Sequence, residues 1–283
     1  MDESKLSHGV VSKGKIKRAI RRATRAKLLP TAGAAPFNWQ PIVLPSLTIK
    51  NQFNSSSCGG QAGSYWLEIV DRRLDHTDIQ FSAKSIYAPI AYPQGGTTVY
   101  ALEQQINKLG ANFESDVPSY YPDTTTDEKF MIDKSYQTSE LANKALRDAF
   151  RVSVSVPIDI ESMAQAIQNS GGVIIEVQGQ NNGTWYSATP KPPIKGNGEI
   201  WAHFVNGSSA GLLNGQKALA FSNSWGTQAG QGGWQYFTEE YINSGYIVDC
   251  FTWYPLGVTT HGNLDSTNWL WNLYQRFLHS FLT

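Results

Sequence analysis

The chain has 283 residues, 41% of them hydrophobic and 12% aromatic, enough for one large domain with a filled core. Only 16% are charged, with 23 basic against 23 acidic side chains, which excludes a globally basic nucleic-acid binder and a highly charged disordered chain. The charge is uneven. Residues 1–29 hold nine Lys and Arg against Asp2 and Glu3, a net +7, and the remaining 14 basic and 21 acidic residues give −7. Two cysteines, Cys58 and Cys250, exclude a disulfide framework and a four-cysteine zinc site. No apolar leader follows the early charges and no apolar run of about 18 residues occurs, so the expectation is a soluble protein of the cytoplasm or another reducing compartment.

Residues 13–29, KGKIKRAIRRATRAKLL, place Ile16, Ile20, Ala23 and Lys27 at three- and four-residue spacings, which predicts a short basic amphipathic helix ending before Pro30. The breaker-rich PTAGAAP then marks a linker, so 1–36 reads as a basic arm and linker and the folded body begins near Phe37. From Cys58, Ala62, Tyr65, Trp66, Ile69, Val70 and Leu74 recur at helical spacing and predict a helix with Cys58 at its N-terminus. Further helices are predicted from Val99 to Leu109, closed by Gly110, and from Glu161 to Gln168. After Arg151 the runs VSVSVPIDI, VIIEVQG, IWAHFVNGSSA, ALAFSN and GWQYFT are β-branched and aromatic, separated by Gly, Asn and Pro, which predicts an antiparallel sheet or barrel. Helices first and strands second give an α+β class, with a helical half at about 53–150 and a β half at about 151–258. The stretch 259–283 carries Trp269, Trp271, Tyr274, Phe277 and Phe281 among few charges, an aromatic tail.

A nucleophilic thiol requires a base to take its proton, a group to orient that base, and donors for the oxyanion. Cys58 starts a helix, where exposed backbone N–H groups and the macrodipole favour a thiolate. Cys250, inside the apolar run IVDCFTWYP, reads as an ordinary buried residue. Of the five histidines only His203 lies in a strand-like run of the body. Twenty residues on, Asn223 in FSNSWG offers an amide oxygen to an imidazole N–H, with Trp225 nearby to keep water off that bond.

At these residues the chain resembles the papain-like cysteine peptidases. NQFNSSSCGGQA is similar to that family's opening motif, with Gln52 six positions before Cys58, and the Cys-to-His interval of 145 lies within the family's range of about 130–150. The resemblance runs from PFNWQ near Phe37 to about Val258 and implies a two-lobed fold, a helical lobe and a β-barrel-like lobe with the active-site cleft between them. It implies Cys58 as nucleophile, His203 as general base and acid, Asn223 as its orienter, Gln52 as oxyanion donor and Trp225 as the shielding indole. In YPQGGTTVYALEQQINKLG it places Gly95 and Gly96 along the cleft, where backbone without side chains can pair with an extended substrate. The expected reaction is thiol-dependent hydrolysis of peptide bonds in a polypeptide substrate, through an acyl-enzyme, with no cofactor and no metal.

Three positions depart from the family pattern. Ser55 stands where a disulfide cysteine is usual, Gly59 where an aromatic follows the nucleophile, and Ala229 where a second tryptophan is common. The missing cysteine agrees with a reducing environment, and Gly59 alters the packing beside the sulfur. Two other functions use the same residues: acyl transfer or deamidation by Cys58, His203 and Asn223, and a peptidase fold kept as a non-catalytic assembly subunit, a virion component included. The basic arm suits an anionic surface, a nucleic acid or a short removable pro-segment, and the aromatic tail suits packing on its own domain, a membrane interface or a protein contact.

Overall fold

The apolar rhythm after Cys58 folds as helix α1, Cys58–Asp75. The computed structural model describes residues 36–75, 78–120, 127–146 and 151–255, together with the backbone of Ala26–Lys27. All of Cys58 to Val70 is buried, so α1 is enclosed on every side up to its last turn, where Arg73 is exposed. Its apolar face, Ala62, Trp66 and Val70, packs with Ile174, Phe204, Phe251 and Trp253 of the sheet. Its polar face, including Gln61, Ser64 and Glu68, is equally dry and must find partners inside the protein.

Short capped helices surround α1. In α2, Ala83–Tyr87, the Ser82 hydroxyl accepts from Ser85 N–H (3.0 Å). In α3, Val99–Lys108, Thr98 caps through Ala101 N–H (3.2 Å), and Gly110 N–H closes the other end on Gln105 O (2.9 Å), near the predicted stop. Asp127 caps α4, Glu128–Ile132, and Thr138 caps α5, Ser139–Ala145, each through its side-chain oxygen. The first half of the body is helical, as its sequence predicts.

A seven-stranded sheet, six strands of it from the second half and β1 from the N-terminal arm, runs in the order β1-β2-β7-β3-β4-β5-β6. Its strands are β1 Ala26–Lys27, β2 Arg151–Ser155, β3 Val173–Gln180, β4 Ile200–Leu213, β5 Gln216–Ser222, β6 Trp234–Thr238 and β7 Ile247–Pro255. Helix α6, Ile160–Ser170, precedes β3, and α7, Glu239–Asn243, follows β6. All neighbours are antiparallel except β1, which runs parallel to β2 with Ala26 opposite Val154. The helix expected over 13–29 therefore does not include Ala26 and Lys27, where pairing with β2 outweighs local propensity. The rest of that arm and the aromatic tail lie outside the described residues.

Strand β3 shows why VIIEV does not alternate. Val173, Ile175 and Val177 join the core beneath α6, while Ile174 joins the core around α1, so both faces are buried. Strand β4 pairs with β3, Val177 opposite His203, and with β5, Asn206 opposite Ser222. His203 thus sits in the interior of the sheet, and Phe204, the next residue, faces α1.

Candidate active site

The first helical bond of α1 runs from Gln61 N–H to Ser57 O (3.0 Å). The N–H groups of Cys58, Gly59 and Gly60 therefore have no acceptor within the helix, and the positive end of the macrodipole lies at the Cys58 side chain. Gly59 has a steric reason. A Cβ there would lie 2.7 Å from Thr97 Cγ2 and 3.3 Å from the Phe204 ring. The space in front of Gly59 is filled by the Phe204 ring of β4 and by Thr97 in the turn before α3. Since Phe204 follows His203 directly, the same contact seats the histidine's strand against the start of α1.

His203 and Asn223 are fully buried, and His203 Nε2 lies 3.0 Å from Asn223 Oδ1. The Trp225 ring covers the imidazole at 4.8 Å between centroids and 31° between planes, and Trp201 presents an edge at 6.3 Å. Behind them Trp185, 0% exposed, touches Trp201, Trp225, Phe237 and Tyr241. Ala229 is buried in this same cluster. Asn223 Nδ2 donates to Gln235 Oε1 (2.6 Å), and Ser224 N–H donates to Asn223 Oδ1 (2.7 Å).

Gln52 is held at both ends of its amide. Ser224 Oγ donates to Gln52 Oε1 (2.6 Å), and Gln52 Nε2 donates to Ser55 O (2.8 Å). Ser55, at the position of the missing cysteine, donates its hydroxyl to Gln52 O (2.7 Å) and so braces the turn before α1 without a disulfide. The Gln52 backbone N–H also donates to Ser224 O (2.7 Å), which sets the glutamine's segment beside that of the asparagine. Tyr65 of α1 joins the same two segments, accepting from Lys50 N–H (2.5 Å) and donating to Asn223 O (3.2 Å).

Below them Lys50 Nζ lies 2.7 Å from Glu68 Oε1, both side chains almost fully buried. Burial pushes the Glu68 carboxyl up, against the opposing pull of Lys50. Cys250 is buried in the β-half core, as an ordinary apolar residue would be.

The glycine pair lies close to the nucleophile's turn, but not as an open edge. A Cβ on Gly95, whose φ is +90°, would fall 2.9 Å from Glu128 Cδ and 3.1 Å from Ser56 Oγ. Gly96 N–H donates to Tyr87 Oη (2.6 Å), and Gly96 O accepts from Tyr92 N–H (3.0 Å). Both backbone groups of Gly96 are engaged inside the turn, and its carbonyl keeps a second acceptor site. Tyr87 donates in turn to Glu128 Oε1 (2.6 Å), and Glu128 Oε2 accepts from Ser56 N–H. Burial, then the bond to this carboxylate, pushes the Tyr87 phenol up, so it remains a proton donor.

Sequence reasoning missed Gln235, Glu128, Tyr87 and Phe204. Gln235 carried one usable signal: in WQYFT it lies between aromatic residues on both faces of a strand, which leaves a polar side chain no solvent to reach.

No family model matches this sequence, and no curated protein sequence does. Solved structures do match. Xylellain, a cysteine protease from Xylella fastidiosa, superposes with a TM-score of 0.67 at 17% identity, over 89% of this chain and 97% of that one. The ragweed pollen allergen Amb a 11, a cysteine protease in its proform, gives 0.63 at 18% identity, over 89% and 75%. The bromelain protease from Ananas comosus, in complex with the E64 inhibitor, gives 0.58 at 17% identity, over 76% and 99%. The fold is that of the papain-like cysteine proteases.

Proposed function

We propose that this chain is a thiol peptidase that hydrolyses peptide bonds through Cys58, His203 and Asn223. The observation that carries the reading is the buried 3.0 Å bond between His203 Nε2 and Asn223 Oδ1 under the Trp225 ring, on a strand packed against the helix that begins at Cys58. An amide oxygen only accepts, so it requires the proton on Nε2 and makes Nδ1 the nitrogen that takes and returns a proton. In this reading Cys58 and His203 rest as thiolate and imidazolium, the thiol lowered from its ordinary value of about 8.5 by the helix terminus and the adjacent cation. The sulfur attacks the peptide carbonyl, and the carbonyl π electrons move to oxygen. The oxyanion is met by the Cys58 backbone N–H and by the Gln52 Nε2 hydrogen not directed at Ser55 O. His203 Nδ1 then protonates the departing amine, and water, deprotonated by the same nitrogen, releases the acyl group and regenerates the thiol.

Of the two glycines, Gly95 keeps a substrate-side role in this reading through its carbonyl, while Gly96 serves the turn. The test is labelling by a peptidyl epoxide, read by intact mass. One equivalent on the wild type, located at Cys58 and lost in Cys58→Ala, is the expected result. His203→Ala should slow the labelling at least tenfold near neutral pH. Undiminished labelling in that variant would sink the ion-pair mechanism. Addition of a competing amine with a peptide substrate separates hydrolysis from acyl transfer, since hydrolysis gives the free acid as the main product.

A further inference from the structure

Asn and Gln amides end in groups of nearly equal size and opposite polarity, so a buried amide facing an imidazole is useful only if something fixes which end it presents. Asn223 Oδ1 and Nδ2 differ to His203 as acceptor and donor, and a flip would turn the donor toward Nε2. Two contacts fix the choice: Ser224 N–H donates to Oδ1 (2.7 Å), and a second constraint lies one residue further away. Gln235, 0% exposed on β6, sends its Nε2 to two backbone carbonyls, Trp185 O (2.7 Å) and Ser187 O (2.8 Å). Carbonyls only accept, so the Gln235 amide cannot be reversed without setting oxygen against two oxygens. Its Oε1 must therefore face Asn223, must take Nδ2 (2.6 Å), and leaves Oδ1 for the imidazole.

We infer that Gln235 is a positioning residue for the histidine tautomer, acting together with the Ser224 N–H: the carbonyls of Trp185 and Ser187 dictate the Gln235 amide, which holds Asn223 Nδ2 away from the imidazole and leaves Oδ1 to fix the proton on His203 Nε2. The inference rests on the peptidase reading only for its kinetic consequence; the tautomer itself is a property of the folded protein. The chain of bonds also ties the 184–187 segment to the imidazole.

The experiment is ¹⁵N NMR of histidine-labelled protein in the Cys58→Ala background, at a pH where His203 is neutral, with the signal assigned by its loss in His203→Gln. The wild-type position 235 should give a single Nε2–H tautomer. Gln235→Met, which keeps the length and removes both donor and acceptor, should give a mixture, and adding Asn223→Asp to it should restore the single form, because a carboxylate accepts at either end. Gln235→Leu, which also removes both groups, should give the same mixture. Should Gln235→Met fail to fold, Gln235→Leu carries the test.

A single Nε2–H form in folded Gln235→Met or Gln235→Leu would overturn the inference. On the thiol-bearing chain Gln235→Met should lower kcat about 10- to 100-fold, the usual cost of one lost hydrogen bond to a charged group, with KM changed less than about twofold. If the wild type turns over no peptide while the tautomer follows position 235 as stated, the peptidase reading fails and this inference stands.

Discussion

Around the start of α1, position is fixed by Gln52, Ser55, Lys50, Glu68 and Glu128, joined by hydrogen bonds and one buried ion pair. Around His203 it is fixed by Trp185, Trp201, Trp225, Phe237 and Tyr241, joined by ring contacts. Both regions are dry, and both must hold a reactive group still, yet they do so with opposite chemistry. Rings lock by volume and fail by leaving voids, whereas buried polar groups lock by direction and fail by leaving a donor or acceptor unanswered. Gln235 and Asn223 are the places where the polar scheme enters the aromatic side, at the one point there that needs direction and not volume.

The comparison can be broken most forcefully on the aromatic side. Trp185→Ala removes the ring that touches five others and should cost about 3–5 kcal/mol of unfolding free energy, measured by urea denaturation. A loss below about 1 kcal/mol would mean that ring volume does not hold the histidine's half. On the polar side, Lys50→Met leaves the Glu68 carboxylate buried without its cation and should cost about 3 kcal/mol, while Lys50→Met/Glu68→Met should cost clearly less than the single change. Equal losses in the two variants would show that the ion pair itself, rather than the stranded charge, matters.

Where the two schemes meet, Gly59→Ala drives a Cβ into Thr97 and Phe204 and should cost about 1–3 kcal/mol, with the penalty reduced in a Phe204→Ala background. Strict additivity of those two changes would refute the shared space.

The smallest effect sharpens the polar side by its pH dependence. Burial pushes the Glu114 carboxyl above its ordinary value of 4.5, outweighing the bonds it accepts from Ser119 N–H (2.6 Å) and Ser119 Oγ (2.7 Å). The folded chain thus binds this proton more tightly than the unfolded chain. The resulting stability is present below the ordinary carboxylate range and is lost as pH rises through the raised value. Glu114→Gln should flatten that decline in a series of denaturation curves from pH 4 upward, and an unchanged slope would assign it to other groups.

What could be read from the residues alone was local or periodic. The helix opening at Cys58, the stop near Gly110 and the strand around His203 each follow from spacing and from breakers within a few positions. The bond from His203 to Asn223 was legible because the two residues flank one hairpin turn and carry distinctive side chains. Gln235, Glu128 and the Lys50–Glu68 pair were not. Each meets its partner through the folding of separate elements, and a lone polar residue in a strand or helix reads the same whether it faces water or a hidden partner. The partner of the Gly96 N–H was equally hidden: the Tyr87 hydroxyl comes from another helix, and nothing in GG announces it.

The crowding at Gly59 also limits what can be built beside the nucleophile. With Thr97 Cγ2 2.7 Å and the Phe204 ring 3.3 Å from where a Cβ would stand, a larger residue after Cys58 fits only if one of those neighbours shrinks with it. The residue beside the thiol and the residue beside the imidazole can therefore be redesigned only as a pair.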